Sequence, residues 1–289
     1  MKYRSDLMLM ENDFLQSNKL IDLAFKEDID HGDITTLAVV SEIAKAKAVW
    51  TAKNDGVLAG LGVAEKVFRR LDENLEWKPA FGDGDLISKG DILVTFQGSC
   101  RALLTGERIA LNFAQRMSGI ATKTNQIVKK LEGLPTQILD TRKTVPGLRV
   151  LDKYAVATGG GKNHRMGLYD MAMIKDNHIV AAGSISRAVE QVRQNSPGIK
   201  IEVETTNLSQ VDQALEAQAD IIMLDNMTIK MMKEAVKRIG KRAQTEASGN
   251  ITQKNITEVA GTGVDFISMG ALTHSVQAFD ISQSVQEIR

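Results

Sequence analysis

The sequence predicts an α/β protein with two regions: an N-terminal α/β sandwich over residues 1–115 and an α/β barrel over residues 116–289. Before residue 106, short apolar runs are separated by Gly-Asp pairs, as in FGDGDLISKGDILVTFQG at 81–98, which is typical of strands joined by tight turns. After residue 106, short apolar runs alternate with amphipathic helices, the pattern of parallel βα units. The sequence leaves open whether the last helix and strands of the chain pack on the sandwich.

Composition excludes several classes of protein. With 289 residues, 43% apolar and 25% charged, the chain can bury a sizeable core. The 36 basic and 36 acidic side chains cancel, so we expect neither nucleic acid nor a membrane surface as a partner. No apolar stretch approaches the ~20 residues of a membrane span. The single cysteine, Cys100, and an opening segment with acidic residues in place of an apolar run predict a cytoplasmic location.

The first region and its link to the second should contain three helices and a strand. Apolar periodicity predicts a helix over 14–25, and alternation with period two predicts a strand over 44–53. A second helix is expected over 63–71. A long helical segment then runs over 106–133 and joins the two regions, and we expect Gly119 to bend or divide it.

In the second region, each apolar run ends at a polar residue. These residues are Arg142, Lys175, Glu204, Asp225, Glu246 and Ser268. The intervals between them are 33, 29, 21, 21 and 22 residues, each long enough for a helix and a return strand. Helices over 207–218 and 227–239, the latter closed by Gly240, fill two of these intervals. Because the carboxyl ends of barrel strands converge on one face, we expect the polar residues to meet there.

Positive charge is concentrated in one part of the chain. Residues 142–178 hold seven lysines or arginines and two histidines against three aspartates. The members we expect at strand ends or after the triple glycine at 159–161 are Arg142, Lys143, His164, Arg165 and Lys175. Guanidinium groups bind planar oxyanions bidentately and an ammonium adds a point charge, so the predicted substrate is polyanionic.

The strand ends that follow carry negative charge instead of positive charge. Carboxylates such as Glu204 and Asp225 beside a phosphate-binding surface usually hold Mg²⁺ or ribose hydroxyls, and ion pairing with nearby lysines is the alternative. Two loops of small residues, 248–250 and 269–271, then offer main-chain N–H groups to a phosphate. The strand ends together fit a phosphorylated sugar with a divalent metal, next to an acidic co-substrate.

Seven blocks of the sequence, spread over about residues 20–280, resemble one known family. They are TRKTVPGLR at 141–149, LDKYAVATGGGKNHRMGLYD at 151–170, MIKDNHI at 173–179, IMLDNM at 222–227, EDIDHGDITT at 27–36, GERIALNF at 106–113 and GALTHS at 270–275. In these blocks the chain resembles the quinolinate phosphoribosyltransferases. The resemblance implies an N-terminal α/β sandwich and an incomplete, open α/β barrel. It also implies conversion of quinolinate and phosphoribosyl pyrophosphate to nicotinate mononucleotide, pyrophosphate and CO₂ in NAD biosynthesis, with Mg²⁺.

The resemblance also implies roles for individual residues. Those expected to bind the quinolinate carboxylates are Arg108, Arg142, His164, Arg165 and Lys175, with Arg108 contributed to the partner's site in a homodimer or larger assembly. Lys143 would lie between the acid and the sugar phosphate, and Glu204 and Asp225 would contact ribose and Mg²⁺, directly or indirectly. The residues implied to bind the 5′-phosphate are Ser248, Gly249, Asn250 and Gly270. The implied catalytic residues are Lys143, Lys175, Glu204 and Asp225.

The chain departs from the family pattern in two places, and two other functions stay open. Asn250 stands where a second glycine is usual, and Thr205-Thr206 stands where an acidic residue is common. A Schiff-base lyase would use a strand-end lysine such as Lys175. A related barrel that binds an oxyanion without turnover is the non-catalytic alternative, which the intact cations and both strand-end carboxylates disfavour.

Overall fold

The structure, a computed structural model, describes residues 11–288 and the side chains of residues 17–285. These residues fold into two compact units. The first unit comprises residues 11–125, 144–160 and 272–288, and the second comprises residues 126–143 and 161–271.

The described residues form helices and strands in the following order. Up to residue 129 they are α1 (Glu11–Asp28), α2 (Ile34–Val39), β1 (Lys45–Ala52), β2 (Gly56–Val57), α3 (Leu61–Leu71), β3 (Glu76–Pro79), β4 (Leu86–Ile87), β5 (Ile92–Ser99), α4 (Cys100–Thr105) and α5 (Glu107–Lys129). After it they are β6 (Gln137–Leu139), α6 (Arg149–Thr158), β7 (Ala172–Ile174), α7 (Asp176–Ala182), α8 (Ile185–Asn195), β8 (Ile201–Thr205), α9 (Leu208–Glu216), β9 (Ile221–Asp225), α10 (Ile229–Ile239), β10 (Gln244–Ser248), α11 (Ile256–Ala260), β11 (Phe266–Ser268), α12 (Ala271–His274) and β12 (Ile281–Ile288).

The first unit is built on a four-stranded antiparallel sheet with the strand order β12-β1-β5-β3. Trp50 of β1 is fully buried and makes edge contacts with Phe68, Trp77 and Phe96, with ring centroids 6.0 to 6.2 Å apart. Phe68 belongs to α3, whose buried residues recur at helical spacing on one face. A helix face packed on an antiparallel sheet is the predicted α/β sandwich.

The C-terminal strand belongs to the first unit because β12 pairs with β1 along the whole of β1 from Ala46 to Ala52. Residues 144–160 also belong there, and their helix α6 packs against α1. The units therefore divide the chain differently from a single boundary at 115/116. Main-chain hydrogen bonding between strands far apart in sequence draws the C-terminal segment back to the first sheet.

Gly119 does not divide α5, so that part of the sequence-based expectation is wrong. The helix is continuous from Glu107 to Lys129. A Cβ atom at Gly119 would lie 2.2 Å from the carbonyl oxygen of Gln277, so glycine allows the C-terminal segment to approach the helix closely.

The second unit is built on a six-stranded parallel sheet with the order β6-β11-β10-β9-β8-β7. Within the described residues β6 and β7 are the two edge strands, so the sheet is open, as the resemblance implies. The helices α8, α9 and α10 each bury one apolar face. None of the helices between residues 11 and 288 has the length and apolar composition of a membrane span.

Most of the predicted elements are confirmed. The helices expected over 14–25, 63–71, 207–218 and 227–239 are α1, α3, α9 and α10, and Gly240 closes α10 with a φ of +59°. The prediction that β10 ends at Glu246 is wrong. This strand continues to Ser248, in register with Asp225 of β9, so Glu246 lies inside the sheet rather than at its edge.

Candidate active site

A cavity of about 690 Å³ lies at the carboxyl ends of the parallel strands, within the second unit. The residues predicted for the site that line it are Arg142, Lys143, His164, Arg165, Lys175, Glu204, Asp225, Ser248, Gly249 and Asn250. Further lining residues are Thr141, Met173, Met223, Asn226, Glu246 and Ser268. The strand ends thus bring the cations, the carboxylates and one of the two small-residue loops around one space.

Strand register explains why these side chains share the cavity. Met223 of β9 lies level with Glu204 of β8 on one side and with Glu246 of β10 on the other. Asp225 lies level with Ser248. Because residues two apart on a strand face the same way, the pairs 202/204, 223/225 and 246/248 each have one common face.

The loop that carries His164 and Arg165 is tied to the end of β6. The fully buried Asp140, which follows β6, accepts a hydrogen bond of 2.8 Å from the His164 main-chain N–H. Arg165 donates from Nη1 to the Met171 carbonyl over 3.0 Å. Burial, together with the charge of Arg142, lowers the pKa of Arg165. Two guanidinium groups close enough to repel each other form a site ready for an anion.

Lys175 and Glu204 form an ion pair with 2.6 Å between Nζ and Oε2. Lys175 follows β7 and is the N-cap residue of α7, with its side chain 44% exposed. A Schiff-base lysine needs its Nζ free to attack a carbonyl carbon, whereas Nζ of Lys175 contacts Glu204. The contact therefore disfavours the lyase alternative.

Asp225 is connected to the small-residue loop through two amides. The Asn226 amide donates to Asp225 Oδ2 over 2.7 Å, and the Asn250 amide donates to Asn226 Oδ1 over 2.9 Å. Both asparagines have positive φ, +53° and +52°. Gly249 has a φ of +88°, and a Cβ there would lie 2.3 Å from the Asn226 side chain, so this loop requires its glycine. The departure at Asn250 thus supplies a contact that glycine could not make.

Thr205-Thr206, the other departure from the family pattern, makes hydrogen bonds to the neighbouring segments of the second unit. The buried Thr205 donates from Oγ1 to the Met223 carbonyl over 2.8 Å and so ties β8 to β9. Exposed Thr206 contacts Gln210 at the start of α9. Neither threonine is among the residues that line the cavity.

His164 lies against two buried carboxylates. Its Nε2 is 2.9 Å from Glu202 Oε2 and 3.5 Å from Glu246 Oε2. Burial disfavours the charged imidazole, but the hydrogen bonds and negative charges of the two glutamates outweigh it and raise the pKa of His164 to about 9. Burial raises the pKa of Glu202, although the neighbouring His164 acts in the opposite direction.

Two predicted site residues do not line this cavity. Arg108 is exposed in the first turn of α5, in the first unit. Gly270 follows β11 in the second unit, two residues after Ser268, which does line the cavity. Their predicted roles therefore stay predictions.

Sequence reasoning did not assign Glu202, Asp140 or Asn226 to the site, and it expected Glu246 there only as one of the converging strand ends. One signal could have identified Glu202: in IEVET at 201–205, two glutamates two residues apart share one face of a strand whose other face is apolar. Glu246 was identified only as a strand end. Asp140 and Asn226 act through hydrogen bonds across loops, and no spacing rule predicts such bonds.

The carboxylates of Glu204 and Asp225 fit Mg²⁺ by their chemistry. Both line the cavity, and hard oxygen donors are the ligands that Mg²⁺ prefers. They lie on adjacent strands of the sheet and face a space large enough for a phosphorylated sugar.

Comparisons with known proteins identify the family. The N-terminal and C-terminal domain models of quinolinate phosphoribosyl transferase match residues 33–118 and 120–284. The chain is 47% identical over 263 residues to the probable nicotinate-nucleotide pyrophosphorylase (carboxylating) of Synechocystis sp., covering 90% of this chain and 89% of the relative. It is 44% identical to quinolinate phosphoribosyltransferase (decarboxylating) 1b of Nicotiana tabacum, covering 92% and 81%. The crystal structure of NadC from Streptococcus pyogenes superimposes with a TM-score of 0.91 at 41% identity, covering 95% and 97%. The chain therefore belongs to the quinolinate phosphoribosyltransferase family.

Proposed function

We propose that this chain transfers a phosphoribosyl group from phosphoribosyl pyrophosphate to quinolinate, in the pathway that makes NAD. The products are nicotinate mononucleotide, pyrophosphate and CO₂. The observation that carries the proposal is the single cavity in which the strand-end cations lie beside Glu204 and Asp225. Membership of the family and the names of its relatives supply the reaction.

The cations bind the acid. Quinolinate carries two neighbouring carboxylates, and Arg142, Arg165 and Lys175 line the cavity with complementary charge. Guanidinium groups fix the plane of a carboxylate through two parallel hydrogen bonds, whereas an ammonium adds charge without fixing a plane. The acid is thereby held with its ring nitrogen directed at the sugar.

The carboxylates assist transfer of the sugar. As the bond from C1 of ribose to pyrophosphate breaks, positive charge develops on the sugar ring, and Glu204 and Asp225 stabilise it at close range. Lys143 neutralises the leaving pyrophosphate. Mg²⁺, held through Glu204 and Asp225 directly or by way of water, would supply further neutralisation of the phosphates. The ring nitrogen of quinolinate forms the new bond to C1.

Decarboxylation follows from the charge on the ring. Once the nitrogen carries ribose it is cationic, so the carboxylate on the adjacent carbon can leave as CO₂ while its bonding electron pair stays on that carbon. A proton then replaces the carboxylate. Lys175, as an ammonium paired with Glu204, is the group that stabilises the carbanion or donates this proton.

The proposal includes a second copy of the chain and a cytoplasmic location. Arg108, exposed at the start of α5, would complete the acid site of a partner subunit in a homodimer or larger assembly. The location is supported by the chain's single cysteine, Cys100, which is free and buried.

The direct test is to incubate the purified protein with quinolinate, phosphoribosyl pyrophosphate and Mg²⁺ and to measure CO₂ and pyrophosphate. We expect the two products in equal amounts, and none when quinolinate is omitted. No turnover, or turnover of nicotinate without release of CO₂, would refute the proposal. Treating the protein with a carbonyl substrate and borohydride is the matching control for the lyase alternative, and we expect Lys175 to remain unmodified.

A further inference from the structure

Two glutamates lie where the interior of a parallel sheet is normally apolar. Glu202 of β8 and Glu246 of β10 have no exposed surface. Parallel strands are usually rich in Val, Ile and Leu because both faces of the sheet are covered. A carboxylate in such a place costs free energy unless a cation or a hydrogen-bond donor compensates for its lost water. The two side chains therefore need a partner.

That partner is His164. The 2.9 Å between its Nε2 and Glu202 Oε2 is the distance of an ion pair. Glu246 Oε2, at 3.5 Å, adds its charge on the same side of the ring. The His164 side chain is only 6% exposed, so water screens these interactions little. Both carboxylates thus act on one ring nitrogen.

The other side of the His164 ring faces the loop that carries Arg165. The Arg165 main-chain nitrogen lies 2.7 Å from Nδ1 and donates its N–H there when the ring is neutral. The His164 main chain is itself fixed by Asp140. The ring therefore lies between the interior of the sheet and the cavity, which His164 itself lines.

Resting on the proposed function, we propose that Glu202 and Glu246 are positioning residues that hold the His164 ring in the orientation that binds the acid substrate. Glu202 is not among the residues that line the cavity, so its effect on the substrate passes through His164. The pair also explains why His164 is directed inward at its Nε2 atom. The two carboxylates hold the imidazole ring in one orientation, with a proton on Nε2.

A transition-metal site is the competing explanation of this cluster. One donor atom from each of His164, Glu202 and Glu246 lies within 4.8 Å of the others. A metal would need the lone pair on Nε2, whereas the ion pair with Glu202 needs a proton there. The positioning role and the metal role therefore exclude each other, and the metal content of the purified protein separates them.

The kinetic test compares Glu202→Gln and Glu246→Gln with wild type. Each substitution keeps the shape of the side chain and removes its charge. We expect Glu202→Gln to raise KM for quinolinate about tenfold or more, since the negative charge that holds the His164 ring is lost, and to change KM for phosphoribosyl pyrophosphate less than about twofold. Glu246→Gln should raise KM for quinolinate by a smaller factor because its contact is longer. Glu216→Gln, an exposed residue of α9, is the matched control and should change neither constant.

A second measurement needs no substrate and no turnover. The chain has four histidines, so the ¹⁵N signals of His164 can be assigned by their loss in His164→Asn. We expect wild type to show a proton on Nε2 that exchanges slowly with water, and Glu202→Gln to lose that slow exchange. This spectrum tests the positioning pair even if the protein does not convert quinolinate.

The outcomes distinguish the two proposals. Absence of turnover together with a protected Nε2 proton refutes the proposed function and supports the contacts of the pair. An active enzyme in which Glu202→Gln and Glu246→Gln leave both KM values unchanged overturns the positioning role. An unprotonated Nε2 in wild type, or one equivalent of a transition metal per chain, overturns it as well. If Glu202→Gln does not fold, Glu246→Gln and the wild-type spectrum still decide the question.

Discussion

The two units stabilise their sheets by different means. In the first unit, Trp50, Phe68 and Phe96 are fully buried around the antiparallel sheet and contact one another through their rings. In the second unit, the parallel sheet buries Glu202 and Glu246 on the face that leads to the cavity. Aromatic contacts add stability without a desolvation cost, whereas buried carboxylates impose one. The second sheet therefore carries a desolvation cost that the aromatic core of the first unit does not.

The largest expected effect concerns Arg108, which belongs to the first unit although its predicted role is in an active site. Arg108→Ala and Glu204→Ala should each abolish turnover. If Arg108 serves a partner's site, a mixed dimer of the two variants retains one intact site. Random exchange of equal amounts should then restore about one quarter of wild-type activity. The measurement is CO₂ release before and after subunit exchange, with exchange itself followed by differently tagged chains.

The control for this mixing experiment is each variant exchanged with itself, which should stay inactive. Mixed dimers that form but do not turn over would contradict a shared site. In that case the loss of turnover in Arg108→Ala would arise within its own chain.

The next effect tests the aromatic core of the first unit. Trp50→Ala should lower the free energy of unfolding by about 3–5 kcal/mol, because it removes a large side chain that the surrounding rings cannot replace. The KM for quinolinate of the folded protein should stay unchanged. Urea unfolding followed by circular dichroism measures the first quantity. Leu86→Ala, at an exposed residue of the same unit, is the control and should have little effect on unfolding.

A small effect on unfolding together with a raised KM for quinolinate would contradict the comparison. It would mean that Trp50 contributes more to the site than to the stability of the first unit.

The smallest effect concerns Asn250 in the second unit. Asn250→Gly removes the amide that holds Asn226 against Asp225 but also relieves a side chain at a φ of +52°. We expect the free energy of unfolding to change by less than about 1 kcal/mol, since the two effects oppose each other. The KM for phosphoribosyl pyrophosphate should rise a few fold, on the order of 1 kcal/mol or less of lost binding.

Asn250→Ala separates the two contributions. It loses the same amide and keeps a Cβ in the left-handed region, so it should be less stable than Asn250→Gly while showing a similar KM. If Asn250→Gly and Asn250→Ala both keep the wild-type KM, the two amides do not position Asp225.

The residues at the strand ends could be predicted because the carboxyl ends of parallel strands meet at one edge of the sheet. Once the spacing indicated βα units, the polar residues after each apolar run had to converge at the carboxyl edge, and Arg142, Lys175 and Asp225 do line one cavity. Gly240 closing α10 is a similarly local signal. Predictions of this kind need only the hydrophobic period and the residue at its end.

Other features could not be predicted because they depend on contacts between segments far apart in sequence. Gly119 signals a bend by local rules, but its missing Cβ makes room for Gln277. The pairing of β12 with β1 and the hydrogen bond from His164 to Asp140 have the same origin. No local pattern encodes which distant strand or loop will be the neighbour.

Composition and hydrophobic period act locally, so they specify the fold class, the basic character of residues 142–178 and the carboxylates that follow. How these charges balance depends on contacts that form only in the folded protein. The net charge of the chain is zero, and this number does not predict which charged groups pair. In the structure Lys175 pairs with Glu204, and His164 lies against Glu202 and Glu246. Those pairings depend on strand register and burial. A buried carboxylate interacts strongly with the charged group next to it, because little water screens the interaction, and the net charge of the chain has no influence on that contact.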